Sequence, residues 1–206
     1  MPSEADCEGS FTLATQVGRS VSRETIEDVE FGLLRRIFGT LLGGRMDYDQ
    51  IFPQLFVGSR PRIVDDIEEL RQNAGITAVL NLQTDEDMCW YDTDWEKLEA
   101  HYRKTEIEVV RFPIRDFDPD DLREKLPGGV QALEELLAAG RTVYLHCTAG
   151  VNRSPTVAIA HIHWCRGWDL EKAIAFVKER RTCSPEVEAI RLAAWDGAGS
   201  PPQNPD

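Results

Sequence analysis

Metal-binding patterns are missing from this chain. Its four histidines and five cysteines in 206 residues include no CxxC pair and no HExxH, which excludes the common zinc frameworks. His161 and His163 lie two apart and face different sides of a helix, so they read as core or surface histidines. No metal and no cofactor is expected. The cysteines (Cys7, Cys89, Cys147, Cys165, Cys183) are odd in number and without paired spacing, which excludes a disulfide scaffold and points to a reducing compartment. That compartment is the cytoplasm, or a plastid should a transit peptide precede these residues. Basic charge is short: 23 Lys and Arg stand against 36 Asp and Glu, a net charge of −13. A nucleic acid or an anionic membrane surface would want a basic patch, so neither is an expected partner. A substrate with a neutral body is favoured. No apolar run approaches the roughly 20 residues of a membrane span. The opening MPSEADCEGS is acidic and polar, unlike a secretory signal or a basic transit peptide.

A hydrophobic fraction of 42% suffices for a core of ordinary size. Residues 1–23 are polar and aperiodic and are expected to be disordered. An amphipathic helix is expected within 24–45, with Ile26, Val29, Leu33, Leu34, Ile37 and Leu41 on one stripe of 25–42 and Gly43–Gly44 at its end. It packs on the domain, or offers a surface to a partner or to a membrane. One domain follows over 46–198, with a tail at 199–206. Strands are expected at Gln54–Gly58, Ile76–Leu82, Glu108–Pro113 and Thr142–His146. Helices are expected at Val64–Asn73, Asp94–Lys104, Pro127–Ala139 and Pro155–Arg166, then after Asp169 as N-cap, and after Ser184–Pro185. Strands alternating with helices give an α/β fold with a mostly parallel central sheet flanked by helices.

The chemistry concentrates in VYLHCTAGVNRSP, Val143–Pro155. A β-branched, apolar run leads into Cys147, five residues follow, then Arg153 and Ser154, and a small apolar helix begins at Pro155. A strand–loop–helix of this kind can turn successive N–H groups inward into an anion nest, backed by the positive end of the helix. Thr148, Ala149, Gly150, Val151 and Asn152 would line that nest. A thiol placed there is favoured as thiolate, and Arg153 offers a planar fork to two phosphate oxygens. Nucleophilic attack by sulfur on phosphorus is the implied reaction. Ser154 would stabilise the departing thiolate, and His146 would sit behind the loop against its backbone. The leaving oxygen needs a proton. FPIRDFDPDDL, which leaves an expected strand, offers Asp116, Asp118, Asp120 and Asp121. Asp118 reads as a turn residue before Pro119, and Asp121 as a cap for the next helix.

The HCTAGVNRS loop carries the signature of the protein tyrosine phosphatase superfamily, and the short surrounding domain resembles its dual-specificity branch. Four further stretches resemble the plant glucan phosphatases, the group of Starch Excess Four and Like Starch Excess Four Two, with laforin more distant. They are YDQIFPQLFVGSRPRIVDDIEEL, LNLQTDEDMCWYDTDW, IRDFDPDDLREKLP and ERRTCSPEVEAIRLAAWD. The resemblance implies a phosphocysteine intermediate, no metal, and a phosphorylated glucan as substrate, and it implies Asp116, 31 residues before Cys147 and followed by Phe117, as the acid. It also implies that Trp90, Tyr91, Phe117 and Tyr48 contact the sugar, since sugar C–H faces stack on aromatic rings. The setting EDMCWYDTD reads as a surface loop. A phosphoprotein carrying phosphotyrosine, phosphoserine or phosphothreonine is the alternative substrate, and a catalytically dead phosphate-binding module is a third reading.

Overall fold

The computed structural model describes residues 46–195. The segments read as disordered (1–23), as an amphipathic helix (24–45) and as a tail (199–206) lie outside the described residues, as does the partner surface proposed for 25–42.

Five strands form one sheet: β1 Tyr48–Phe52, β2 Leu55–Gly58, β3 Ala78–Asn81, β4 Glu108–Arg111 and β5 Val143–His146. Their order is β1-β2-β5-β3-β4. Only the β1–β2 hairpin is antiparallel; β2–β5, β5–β3 and β3–β4 are parallel. The expected α/β fold with a mostly parallel sheet is therefore present. Every residue of β2, β3 and β5 is buried, which is why these strands are short, nearly continuous apolar runs. Residue patterning gave no strand at β1, although the family resemblance carried by YDQIFPQLFVGSRPRIVDDIEEL includes an entry strand at Tyr48. β1 is an edge strand of mixed polarity whose register shifts between Gln50 and Phe52, so it lacks a clean alternation.

Among the described residues, seven helices cover the sheet. They are α1 Val64–Ala74, α2 Asp85–Trp90, α3 Trp95–Lys104, α4 Pro119–Ala138, α5 Arg153–Trp164, α6 Leu170–Arg180 and α7 Val187–Leu192. One face packs Ile67 and Leu70 of α1 and Leu98 and Tyr102 of α3 against Phe56, Val79 and Tyr144. The other buries α5 almost all round, between Leu126, Val130 and Leu133 of α4, Ala173 and Val177 of α6 and Ala189 and Ile190 of α7.

Three helix starts differ from the sequence expectation. EDMCWYDTD is not a loop: Thr84 and Asp87 form a reciprocal capping box that starts α2, with Asp87 N–H donating to Thr84 Oγ1 (3.1 Å) and Thr84 N–H to Asp87 Oδ2 (3.0 Å). α4 begins at Pro119, eight residues before the expected Pro127, because Asp118 is its N-cap and accepts from Asp121 N–H at 2.9 Å. Asp121 itself accepts from Arg115 N–H at 2.7 Å, bracing the segment that precedes the helix. The helix runs through Pro127–Gly128–Gly129 because it lies close over the exit of β4. A Cβ at Gly128 would come within 2.6 Å of the Phe112 ring. α7 starts at Val187 with Glu186 as cap, not at Ser184–Pro185. Ser184 is tied elsewhere: its N–H donates to Val151 O, and its carbonyl accepts from Asn152 Nδ2, both at 2.8 Å.

Candidate active site

β5 is the middle strand and runs parallel to both neighbours, and open α/β sheets bind ligands in the crevice beyond the carboxyl ends of their strands. Cys147 to Asn152 occupy that position, between β5 and α5. The loop's carbonyls are all taken. Cys147 O meets His146 Nδ1 at 3.0 Å, Thr148 O accepts from Arg60 N–H at 2.9 Å, and Ala149 O accepts from Arg181 Nη2 at 3.5 Å. Gly150 O accepts from Arg181 Nε at 2.6 Å, Val151 O from Ser184 N–H at 2.8 Å, and Asn152 O from Thr156 Oγ1 at 2.8 Å. In a planar trans peptide the next N–H points opposite the carbonyl. Six carbonyls held outward therefore turn the N–H groups of residues 148–153 toward the concave side, as an anion nest requires. Gly150 sits at φ +69°, and a Cβ there would strike the Arg181 guanidinium and the Gly58 backbone.

Cys147 is 3% exposed, and Ser154 Oγ lies 3.4 Å from its sulfur. His146 is buried behind the loop as expected. Burial pushes its imidazole down to about 4, so the ring is neutral at physiological pH.

Arg153 is 1% exposed and held from several sides. Nη1 donates to Asp87 Oδ2 at 2.7 Å and to Ile114 O at 2.8 Å. Nη2 donates to Thr148 Oγ1 at 3.1 Å and pairs with Asp116 Oδ2 at 2.8 Å. Thr148 Oγ1 is fixed in turn by Gln83 Nε2 at 3.2 Å. The remaining donor of the fork, Nε, is buried without a protein partner. Burial raises the Asp116 pKa above the ordinary carboxylate range, against the opposing pull of Arg153.

The structure thus brings Cys147, Arg153, Asp116 and Ser154 together, with Thr148 to Asn152 forming the loop. Trp90 ends α2 and is 61% exposed, and Phe117 is 83% exposed on a left-handed backbone, φ +56°. With Tyr91, Thr84, Asp87, Arg115 and Asp116 they line a cavity of about 430 Å³. A second cavity of about 370 Å³ lies on the other side of Phe117, against Val151, Asn152 and Ser184. Tyr48 is the exception. It packs edge-on against Phe56 and Tyr144, with ring centroids 6.2 and 6.1 Å away, and lines neither cavity. The hairpin turns it toward the sheet's own aromatic cluster. Away from the loop, Glu134, His161 and Cys165 bring donor atoms within 4.8 Å of one another, and His161 Nε2 is engaged by the Glu134 carboxylate at 2.6 Å.

Two residues that hold this site escaped sequence reasoning. Asp87 was legible only as a capping partner, through the Thr84-x-x-Asp87 spacing. Arg181 is fully buried, and besides two loop carbonyls it pairs with Asp49 at 2.8 Å and Asp47 at 3.4 Å. Nothing local in ERRTCSP marks it.

Comparison with known proteins agrees with this geometry. The phosphoglucan phosphatase LSF1 of Arabidopsis thaliana is 37% identical over 73% of this chain and 25% of its own length. The phosphoglucan phosphatase DSP4 of Castanea sativa is 36% identical over 73% of this chain and 40% of its own. The chain therefore spans less than half the length of these relatives. Among solved structures, the PTP-2 phosphatase of Cydia pomonella superposes with a TM-score of 0.57, at 24% identity over 71% of this chain and 87% of its own, and shares the fold. The dual specificity phosphatase catalytic domain matches residues 55–191, from β2 into α7 and across the loop, Asp116 and both paired arginines. On that match, the chain belongs to the dual-specificity phosphatase family.

Proposed function

We propose that this protein hydrolyses phosphate monoesters through a phosphocysteine on Cys147, and that its substrate is a phosphorylated glucan. The observation that carries the chemistry is the loop itself: outward carbonyls, a buried cysteine with Ser154 at 3.4 Å, and a buried Arg153 with a donor in reserve. An arriving phosphate dianion binds the inward N–H groups and Arg153, competing with Asp116 for the guanidinium and releasing the carboxyl. Cys147 sulfur attacks phosphorus. The P–O bond to the sugar breaks as Asp116 hands its proton to the leaving oxygen. Burial, which raises the Asp116 pKa, favours the protonated form this step needs. In the second half-reaction Asp116 takes a proton from water, the resulting hydroxide attacks phosphorus, the S–P bond breaks, and inorganic phosphate leaves. The Ser154 hydroxyl donates to the re-formed thiolate. No step calls for a metal.

The glucan assignment rests on Trp90, Tyr91 and Phe117 lining one cavity with Asp116. Two large aromatics left this exposed beside a buried anion nest suit a neutral polymer with apolar sugar faces. The relatives named phosphoglucan phosphatase add support. Their names also carry the words chloroplastic and amyloplastic, so the reducing compartment we propose includes a plastid as well as the cytoplasm. No helix among the described residues is long and apolar enough to cross a membrane. A phosphoprotein substrate is the competing reading. The test is phosphate release from solubilised phosphoglucan against a phosphotyrosine peptide, at matched turnover of a chromogenic aryl phosphate. Preference for phosphoglucan is expected. Preference for the peptide would transfer the assignment to protein substrates.

A further inference from the structure

Three buried arginines surround the catalytic loop, and they differ in what they hold. Arg153 is paired with Asp87 and Asp116. Arg181 is paired with Asp47 and Asp49 and caps two loop carbonyls. Arg60 is 6% exposed and has neither an ion pair nor a side-chain hydrogen bond among the described residues. Its backbone N–H is fixed to Thr148 O at 2.9 Å, so the side chain starts from the first residue after Cys147. Its Nε is buried and unpartnered. The guanidinium carbon lies 4.7 Å from the centroid of the Tyr91 ring, and Tyr91 lines the cavity that contains Asp116. The neighbouring cation, Arg62, takes up Asp66 at 3.3 Å, and the same carboxylate oxygen also accepts from Arg62 N–H at 2.8 Å and Ile63 N–H at 3.4 Å.

Burying a cation without an anion is costly, and a face-on aromatic contact offsets only part of that cost. In a chain of net charge −13, carboxylates are abundant, yet none is placed on this guanidinium. Asp66 acts on this guanidinium only from beyond ion-pair distance and is itself held by Arg62, so a positive group beside the loop is left open to an anionic ligand. We propose that Arg60 is a specificity residue that takes a second phosphate of the substrate, beside the one held by the Cys147 loop. The inference rests on the reading of the substrate as a phosphorylated carbohydrate. The preferred substrate is then a sugar or glucan segment phosphorylated at two nearby positions. A second anion is otherwise disfavoured by the acidic surface, so this local cation sets the preference.

The experiment measures competitive inhibition of p-nitrophenyl phosphate hydrolysis by glucose 6-phosphate and by glucose 1,6-bisphosphate, at fixed ionic strength. In wild type the bisphosphate is expected to bind about ten- to a hundredfold more tightly, the scale of one charge-assisted hydrogen bond. Arg60→Met should bring the ratio of inhibition constants to about two, the statistical factor for two phosphates, and Arg60→Lys should keep part of the preference. Thermal unfolding is followed alongside, and Arg60→Gln carries the same comparison if Arg60→Met melts early. A wild-type ratio near two, or a high ratio that survives in Arg60→Met and Arg60→Gln, overturns the proposal. A sugar hydroxyl as the natural ligand of Arg60 would give the first of these results. Absence of phosphate release from phosphoglucan by wild type would instead overturn the glucan reading, while the inhibition ratio still decides the role of Arg60.

Discussion

Replacing Asp87 by Asn tests whether the carboxylate at the start of α2 orients Arg153 for chemistry or only caps a helix. The change keeps the side chain's shape and an acceptor oxygen for Thr84 N–H, now 3.0 Å from Oδ2, but removes the charge 2.7 Å from Arg153 Nη1. A hydrogen bond between charged groups contributes about 1.5–3 kcal/mol. Arg153 keeps Ile114 O and Thr148 Oγ1 as partners when phosphate releases Asp116, so the guanidinium stays in the site with its fork less fixed. Expressed in the transition state, that range lowers kcat/KM by about 10- to 100-fold. Arg153 acts on the phosphoryl oxygens, so the loss should be equal for aryl and alkyl phosphates. It should also appear as weaker inhibition by inorganic phosphate. Stability should fall by about 1 kcal/mol, the usual scale of a cap. The assay is kcat/KM on both substrate types, the inhibition constant for phosphate, and a urea midpoint. If the midpoint drops while kcat/KM stays within about twofold, Asp87 is a cap and nothing more, and the account of how Arg153 is held fails.

Asp116→Asn should lower kcat/KM on alkyl phosphates by about 10²–10⁴-fold and on activated aryl phosphates much less, because only the poor leaving group needs the proton. As burial raises the Asp116 pKa, the falling limb of the alkyl-phosphate pH profile should lie above the ordinary carboxylate range, and it should vanish in the variant. Trp90→Ala and Phe117→Ala should each weaken glucan dephosphorylation by about 1–3 kcal/mol, with full side-chain burial as the ceiling. Parallel losses on a small aryl phosphate would mark these rings as structural. His146 is held neutral in the fold, with its pKa near 4 against about 6.5 unfolded. Its contribution is complete above pH 6.5 and is lost as pH falls toward 4, about 3 kcal/mol in all. The wild-type minus His146→Gln difference in unfolding free energy should show that slope, and a flat difference would contradict it.

How far the sequence revealed this site depended on the range of the contacts. The loop was legible because Cys147 to Ser154 are contiguous, and because the apolar run before them can only be a buried strand. Asp116 was legible through the resemblance to the dual-specificity branch, which places its acid just after the strand before the loop; position alone left four aspartates open. α2 was hidden by its composition: an acidic, polar stretch resembles a loop unless the Thr84–Asp87 capping box is weighed. The first turns of α4 were hidden because Asp118–Pro119 reads as a turn and Pro127 as the helix start, whereas Pro119 is the start and Pro127 is tolerated inside a well-packed helix. Arg60, Asp87 and Arg181 could not be found from spacing. Asp87 meets Arg153 across 66 residues and Arg181 meets Asp49 across 132, so folding alone assigns their roles. Tyr48 lies away from both cavities for a reason of the same kind. Its aromatic ring was visible in the sequence, but not the hairpin that turns it toward Tyr144.

The central claim is the covalent intermediate, and it is open to direct observation. Asp116→Asn is mixed with excess aryl phosphate, quenched in acid within the first turnovers, digested and analysed by mass spectrometry. The aryl leaving group departs without a proton donor, whereas attack by water now lacks its base, so phosphoenzyme should accumulate. The account expects one phosphoryl group, on the peptide containing Cys147, and none when Cys147 is replaced by Ser. A phosphoryl group on any other side chain, or turnover in which no phosphoenzyme forms, would contradict it.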